Sequence, residues 1–320
     1  MMQKNIPSLL TFTPAIRNYV WGGRTLLPLA GPDLGKNDPI AEVWAIYENN
    51  QVKNGVFAGR TLAELVAEYP IEILGTRVKS QGNERFPLLI KLLDCASWLS
   101  LQVHPNDEQA RQLEGSQFMG KTEAWHILNA QPNAQLIAGI RPNTSAETVH
   151  AAIGNETILD LVEYHHVQTG DTIFVPAGTI HALGPGLLIY EVQQTSDLTY
   201  RVFDWNRPQT NGRILHIEKS IVVTDPQSQG QITRQQDSGN VDKSLVQCPY
   251  FHLEMLSTPQ VRDTQGESFH ALTVIAGQAN ISTSESSFVL QKFDTILVSA
   301  VCGRYHLKGD FQILCSSVTR

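Results

Sequence analysis

One stretch of this 320-residue chain carries the residue types and spacing of a metal-ligand turn: Gly170-Asp-Thr-Ile-Phe-Val-Pro176-Ala-Gly178-Thr-Ile-His181. Ile173, Phe174 and Val175 read as a buried strand, which Pro176 and Gly178 end sharply. His181 then projects from a rigid corner. That suits a metal ligand, because an imidazole must be fixed in direction before it can hold an ion. A lone histidine at a strand end is more often a hydrogen-bonded structural residue, so the reading needs further donors.

The spacing from Gly170 through Pro176 and Gly178 to His181 resembles the second signature of the cupin superfamily, in which such a histidine binds a metal inside a small β-barrel. A cupin site takes two donors one residue apart on a strand, a carboxylate farther on, and the late histidine. Gln102-Val-His104 fits the first requirement, since side chains two apart on a strand share a face. Glu123, in Gly120-Lys-Thr-Glu-Ala-Trp, can supply the carboxylate. The resemblance thus implies His104, Glu123 and His181, with Gln102 as a weaker oxygen donor, around an ion with room for water or substrate. His165 and His166 read as solvated. His126, His150, His216, His252, His270 and His306 have no fellow donor at ligand spacing.

Gly115-Ser-Gln-Phe-Met-Gly120-Lys121-Thr122 satisfies the phosphate-loop pattern G-x-x-x-x-G-K-[ST]. A true phosphate loop follows a buried strand and opens a helix, so that successive amides cradle phosphate. Here an exposed helix pattern, Asn106 to Glu114, precedes it, and the match is accidental.

The elements that must position these groups are mostly strands. Pro87–Leu93, Leu99–His104, Asp171–Val175, Leu187–Val192 and Tyr200–Trp205 read as strands, whereas Thr61–Glu68 and Pro105–Leu113 read as capped helices. Thr144 to about Tyr164 reads as helix interrupted at Gly154-Asn155. Thr224–Gln247, rich in Gln, Ser, Asp and Gly, reads as a linker. Beyond it come the strands Phe251–Leu256, Ala271–Ile275, Ala279–Ser282, Phe288–Gln291, Thr295–Val298 and Phe311–Ser316 without intervening helices. Asp171-Thr-Ile-Phe-Val-Pro-Ala and Asp294-Thr-Ile-Leu-Val-Ser-Ala repeat at an offset of 123 residues, with five identities in seven. At that offset His181 becomes Arg304, so the second copy keeps its strand and loses its ligand. The expected fold is mainly β: two cupin-like (jelly-roll) β-barrel units with helical insertions in the N-terminal one, a metal-binding catalytic domain over 1–235 and a degenerate cupin-like domain over 236–320.

Five motifs together narrow the resemblance. Phe86-Pro-Leu-Leu-Ile-Lys-Leu-Leu-Asp, Leu99-Ser-Leu-Gln-Val-His-Pro-Asn-Asp, Gly120-Lys-Thr-Glu-Ala-Trp, Val175-Pro-Ala-Gly-Thr-Ile-His-Ala and Glu191-Val-Gln-Gln-Thr-Ser-Asp-Leu-Thr-Tyr-Arg-Val-Phe-Asp-Trp resemble the type I mannose-6-phosphate isomerase family in its short bacterial form, as does the opening Tyr19-Val-Trp-Gly-Gly. The resemblance implies a zinc-dependent aldose–ketose isomerase, with one Zn2+ per chain on Gln102, His104, Glu123 and His181 and the family's active-site arginine at Arg201. Isomerisation moves a proton between C2 and C1 through an enediol, and the charge growing on the adjacent oxygen is the hard step. A metal with an open position and a nearby arginine both stabilise such charge. Glu191, Lys121, Lys91 and a metal-bound water are all candidates for the proton transfer. Lys91 and Lys121 could instead hold the substrate phosphate, together with Arg201. The chain departs from the family at Tyr47-Glu48-Asn49-Asn50, and His126 stands where an aromatic such as Tyr is common. Both bear on the pocket wall and on the sugar accepted.

Composition narrows the field. A formal net charge of -7, with 17% charged and 42% hydrophobic residues and no long basic run, leaves no electrostatic footprint for nucleic acid or an anionic membrane. Neither a signal peptide nor a membrane-spanning run is evident. Cys95, Cys248, Cys302 and Cys315 form no C-x-x-C pair, as expected of reduced packing residues in a cytoplasmic protein. The expected partner is a small phosphosugar, and the oligomeric state is monomer or homodimer. Two other readings share these residues: an iron-dependent cupin dioxygenase, because ligand type alone does not separate first-row metals, and a sugar-phosphate-binding protein without turnover.

Overall fold

A computed structural model describes residues 6–30, 38–80, 82, 84–209, 213–235 and 241–319. The fold is mainly β, and the chain divides into two compact units. One comprises Ile16–Val43 and Leu92–Gln235; the other comprises Met1–Ala15, Trp44–Lys91 and Gln236–Arg320. Among the described residues no helix is long and apolar enough to cross a membrane.

The first unit holds every candidate site residue except Lys91. Its five-stranded antiparallel sheet runs in the order Tyr200–Phe203, Leu101–Val103, His181–Leu183, Gln135–Ile140, Val162–His166. A second antiparallel set runs Gln231–Thr233, Thr172–Val175, Glu123–Ala130, Leu187–Gln194. The period-two alternation of strands sorts their side chains between two cores. Leu101, Val103, Ile137, Ala182, Tyr200 and Val202 pack against Val149, Ala152 and Ile153 of the helix Ala146–Gly154 and Val223 of the helix Ile217–Val223. The opposite face contributes Leu136, Ala138 and Leu183 to a core shared with Trp125, Ile127, Ile173, Val175 and Ile189 of the second sheet. Residues between the apolar positions, Gln102, His104, His181 and Arg201, therefore turn toward this second core.

The other unit is built on an eight-stranded antiparallel sheet whose main order is Leu9–Thr11, Thr295–Val298, His270–Ser282, Arg304–Ser317, His252–Leu256, Lys243–Gln247. Leu272, Val274, Ile296, Tyr305, Leu307 and Ile313 lie at its core. Both copies of the internal repeat are strands, Thr172–Val175 and Thr295–Val298. His181 and Arg304 each open the following strand, but His181 is buried and Arg304 is exposed, 3.5 Å from Asp263.

Three expectations differ from the structure. The helix expected to reach Tyr164 ends at Gly154, and after a 3-10 turn at Ile158–Asp160 the chain forms the strand Val162–His166. Ile158, Leu161 and Val162 stand at the helical spacing i, i+3, i+4, whereas Val162 and Tyr164 alternate as in a strand, and pairing with Gln135–Ile140 decides between them. Ala271–Ile275 and Ala279–Ser282 belong to one strand, His270–Ser282, which carries a register shift between Val274 and Ala276. The expected linker contains the strands Gln231–Thr233 and Lys243–Gln247, whose polar alternation hid them; its residues 236–240 lie outside the described ones.

Candidate metal centre

The register of three strands sets out one half of the site. Gln102 is directly opposed to His181 on one side and to Arg201 on the other, so the three side chains share one sheet face in a row. His104 lies two residues along from Gln102 and keeps to that face. On the second sheet Glu123 is opposed to Gln193 and Val175, and Trp125 to Glu191 and Ile173. Glu123, Trp125, Glu191 and Gln193 accordingly occupy one face, which Val175 and Ile173 mark as the side of the shared core.

His104, Glu123 and His181 meet at the centre. Each offers a ligand atom within 4.8 Å of the others. The His104 Nε2 is 3.6 Å from Glu123 Oε2, and His181 Nε2 is 3.3 Å from Glu123 Oε1. All three are buried, with Glu123 0%, His104 1% and His181 1% exposed. Gln102 lies beside them, its amide nitrogen 3.2 Å from His181 Nε2. A half-turn of that amide would bring Oε1 to the same place.

The imidazole of His181 is prepared for an ion. Its Nδ1 donates to the Thr179 carbonyl at 2.9 Å, which leaves Nε2 as the lone-pair nitrogen facing Glu123. Burial pulls its pKa down to about 4, with the Thr179 bond opposing and Lys121 adding to the shift, so the ring is neutral at pH 7. The turn before it is tied down. Gly178, at φ +86, donates to the His104 carbonyl at 2.8 Å, so the corner and the His104 strand move together.

Lys121 reaches the same carboxylate, its Nζ 3.2 Å from Glu123 Oε2. The segment carrying it is held against the start of the helix Asp107–Glu114. Gly120 donates to Asp107 Oδ1 at 2.8 Å, and a Cβ there would lie 2.5 Å from the Asn106 carbonyl carbon. Thr122 donates to Gln194 Oε1 at 2.9 Å, and Gln194 donates in turn to Asp107 Oδ1 at 3.0 Å. The segment that matched the phosphate-loop pattern thus joins a helix to a strand, the reverse of what phosphate cradling needs.

Glu191 is buried, and its Oε2 accepts from the Trp125 indole at 2.9 Å. Arg201 is half-buried; its backbone N–H donates to His216 Nδ1 at 3.2 Å and its Nη1 to the Ile214 carbonyl at 3.1 Å. Asp204, three residues on, binds Arg207 and Arg213. Lys91 lies in the other unit, buried, with its ammonium 5.1 Å from the centroid of the Trp44 ring. His126 faces away from Glu123 and Trp125 and meets Thr172 Oγ1 at 2.9 Å, so this departure does not line the site. Glu48, from the other departing segment, is bound by Arg85. Sequence reasoning missed Thr179 and Trp125. Only the position of Trp125 two residues after Glu123 could have pointed to it.

The family model for the type I phosphomannose isomerase catalytic domain matches residues 9–121, and that for the mannose-6-phosphate isomerase cupin domain matches 242–318. Mannose-6-phosphate isomerase ManA of Bacillus subtilis is 33% identical over 320 residues, covering 96% of this chain and 98% of its own. The mannose-6-phosphate isomerase of Streptococcus mutans is 35% identical over 306 residues, covering 93% and 94%. A crystal structure of the mannose 6-phosphate isomerase from Bacillus subtilis shares 32% identity at a TM-score of 0.84, over 97% of this chain and 99% of that one. Likeness of this extent in sequence and in fold means that the chain belongs to the type I mannose-6-phosphate isomerase family.

Proposed function

We propose that the chain interconverts mannose 6-phosphate and fructose 6-phosphate, using one zinc ion held by His104, Glu123, His181 and Gln102. The observation that carries this reading is the convergence of two imidazoles and a carboxylate, buried and within 4.8 Å of one another, two from separate strands and His104 from just past the end of a third. The donor set fits the metal, because two nitrogen ligands and one or two oxygens suit a catalytic zinc that keeps a position open. When bound, the ion supplies Lewis-acid polarisation of the sugar oxygen beside the reacting carbon.

The remaining work falls to side chains of this chain. A proton must leave C2 of the opened sugar and return to C1 through an enediol. Glu191 and Lys121 are the groups proposed to carry it; the Trp125 bond favours Glu191, because it fixes the direction of the carboxyl. Lys121 also brings a positive charge to substrate oxygens. Arg201, in the same row as Gln102 and His181, supplies directional donors to the enediolate oxygen and to the phosphate. Lys91 is retained as a candidate for the phosphate. The division into a catalytic part, 1–235, and a degenerate cupin-like part, 236–320, belongs to the same proposal and is supported by the exchange of His181 for Arg304 in the repeat. Four free cysteines support a reducing, cytoplasmic setting.

A coupled assay of fructose 6-phosphate formation, on protein of measured metal content, tests the proposal. Turnover that a chelator removes and zinc restores is expected. Binding of mannose 6-phosphate without turnover would establish a sugar-phosphate-binding protein instead, and oxygen uptake by the iron-loaded protein would establish a dioxygenase.

A further inference from the structure

Two buried polar atoms at the end of the strand that pairs with Glu123–Ala130 have no hydrogen-bond partner among the described residues: Gln193 Oε1 and Thr195 Oγ1. Gln193 is 0% exposed and Thr195 3%. Buried polar atoms in folded proteins are nearly always matched, so two within three residues call for an explanation. From these atoms we infer that Gln193 and Thr195 form a subsite for hydroxyl groups of the open-chain sugar phosphate. This deepens the isomerase reading and rests on it.

Gln193 is directly opposed to Glu123 in the sheet and lies two residues after Glu191, so its side chain starts on their face. Its amide nitrogen donates to the Ser196 carbonyl at 2.6 Å and to the Gln194 carbonyl at 3.0 Å. Both amide hydrogens are therefore committed. A half-turn would set Oε1 against two carbonyl oxygens, so Oε1 is a fixed acceptor and requires a donor. Thr195, one residue past the end of the strand, offers a hydroxyl that can donate or accept.

This combination selects the ligand chemistry. A phosphate or carboxylate would meet an acceptor at Gln193 and be repelled. A metal ion would find one amide oxygen and one neutral hydroxyl, a poor set beside the carboxylate and imidazoles already gathered at His104, Glu123 and His181. Neutral hydroxyls on adjacent carbons match both atoms, because each can donate and accept. The subsite would thus read the sugar chain, while Arg201 and the lysines read its charge.

Calorimetry on the full-length, metal-loaded protein tests the inference, with mannitol 6-phosphate as an acyclic probe that cannot isomerise and inorganic phosphate as the control. Gln193→Met and Thr195→Val are each expected to weaken mannitol 6-phosphate about tenfold, as loss of one buried hydrogen bond does, with phosphate binding and metal content unchanged. Gln193→Met also removes the donor to two carbonyls, so Thr195→Val, which preserves shape, carries the test if the first variant folds poorly. Unchanged mannitol 6-phosphate binding in Thr195→Val would overturn the subsite and assign the hydroxyl to a structural water. Equal weakening of inorganic phosphate, or no binding of mannitol 6-phosphate by the parent protein, would overturn it too. Because the readout is binding, a parent protein that binds mannitol 6-phosphate but never turns over mannose 6-phosphate would refute the isomerase reading and leave the subsite standing.

Discussion

Gln102 and His181 face each other across neighbouring antiparallel strands, with the Gln102 amide nitrogen 3.2 Å from the His181 Nε2 that turns toward Glu123. The backbone ladder, and not side-chain flexibility, sets that separation. Gln102→Leu should leave the fold intact and weaken metal affinity roughly 10- to 100-fold, the range seen when a residue supporting a metal ligand is removed. Metal titration against a competing chelator measures it. Unchanged affinity would remove Gln102 from the site.

Arg201 is the other cross-strand neighbour of Gln102, and its backbone is clamped to His216 from both sides, by Arg201 N–H to Nδ1 at 3.2 Å and His216 N–H to the Arg201 carbonyl at 2.8 Å. Arg201→Ala should lower kcat by about 10²- to 10³-fold, as loss of a directed donor to a developing oxyanion does, with metal content unchanged. Arg201→Lys should recover only part, because the ammonium lacks the planar fork. Steady-state kinetics beside metal analysis distinguishes this from damage to the ligands.

The Trp125 indole donates to Glu191 at 2.9 Å. Trp125→Phe keeps a ring in the core but removes the donor and part of the buried volume, so with stability measured alongside, kcat should fall on the order of tenfold with little change in KM. A loss confined to KM would show that Glu191 serves binding and not proton transfer.

How much of this was legible in the sequence depends on range. The turn before His181 and the shared face of Gln102 and His104 follow from local rules, period-two strands and Pro and Gly as strand breakers, whereas the carboxylate at Glu123 is implied only by the resemblance to the cupin pattern. The order that sets Gln102 between His181 and Arg201 is not local. It brings together strands roughly 80 and 100 residues apart in the chain, and no periodicity encodes which strand lies beside which. The Thr179 carbonyl that sets the His181 tautomer is invisible for another reason: it is backbone, which every residue possesses. The strand Val162–His166 was lost to helix because Ile158, Leu161 and Val162 carry a helical spacing into it, while only pairing with Gln135–Ile140 fixes it as a strand.

His126 gives the folded chain a pH dependence away from the site. Burial pulls its pKa down to about 4, from an ordinary value of 6.5. The unfolded chain therefore takes up this proton first, and stability present in full above about pH 6.5 is lost as the pH falls toward 4, where the loss levels off. The shift corresponds to an effect on the order of 3 kcal/mol. Urea midpoints at pH 7 and pH 5 should differ less in His126→Asn, which does not titrate, than in the parent chain. An equal difference in both would place the dependence elsewhere.

The most direct measurement pairs metal content with turnover in Glu123→Gln, which removes the charge between His104 and His181 while keeping the shape of the side chain. The parent protein should carry one zinc per chain and convert mannose 6-phosphate, whereas the variant should hold far less zinc and lose at least about 10³-fold in activity, in line with removal of a metal that stabilises developing charge. Full turnover by a variant that has lost its metal would contradict the account.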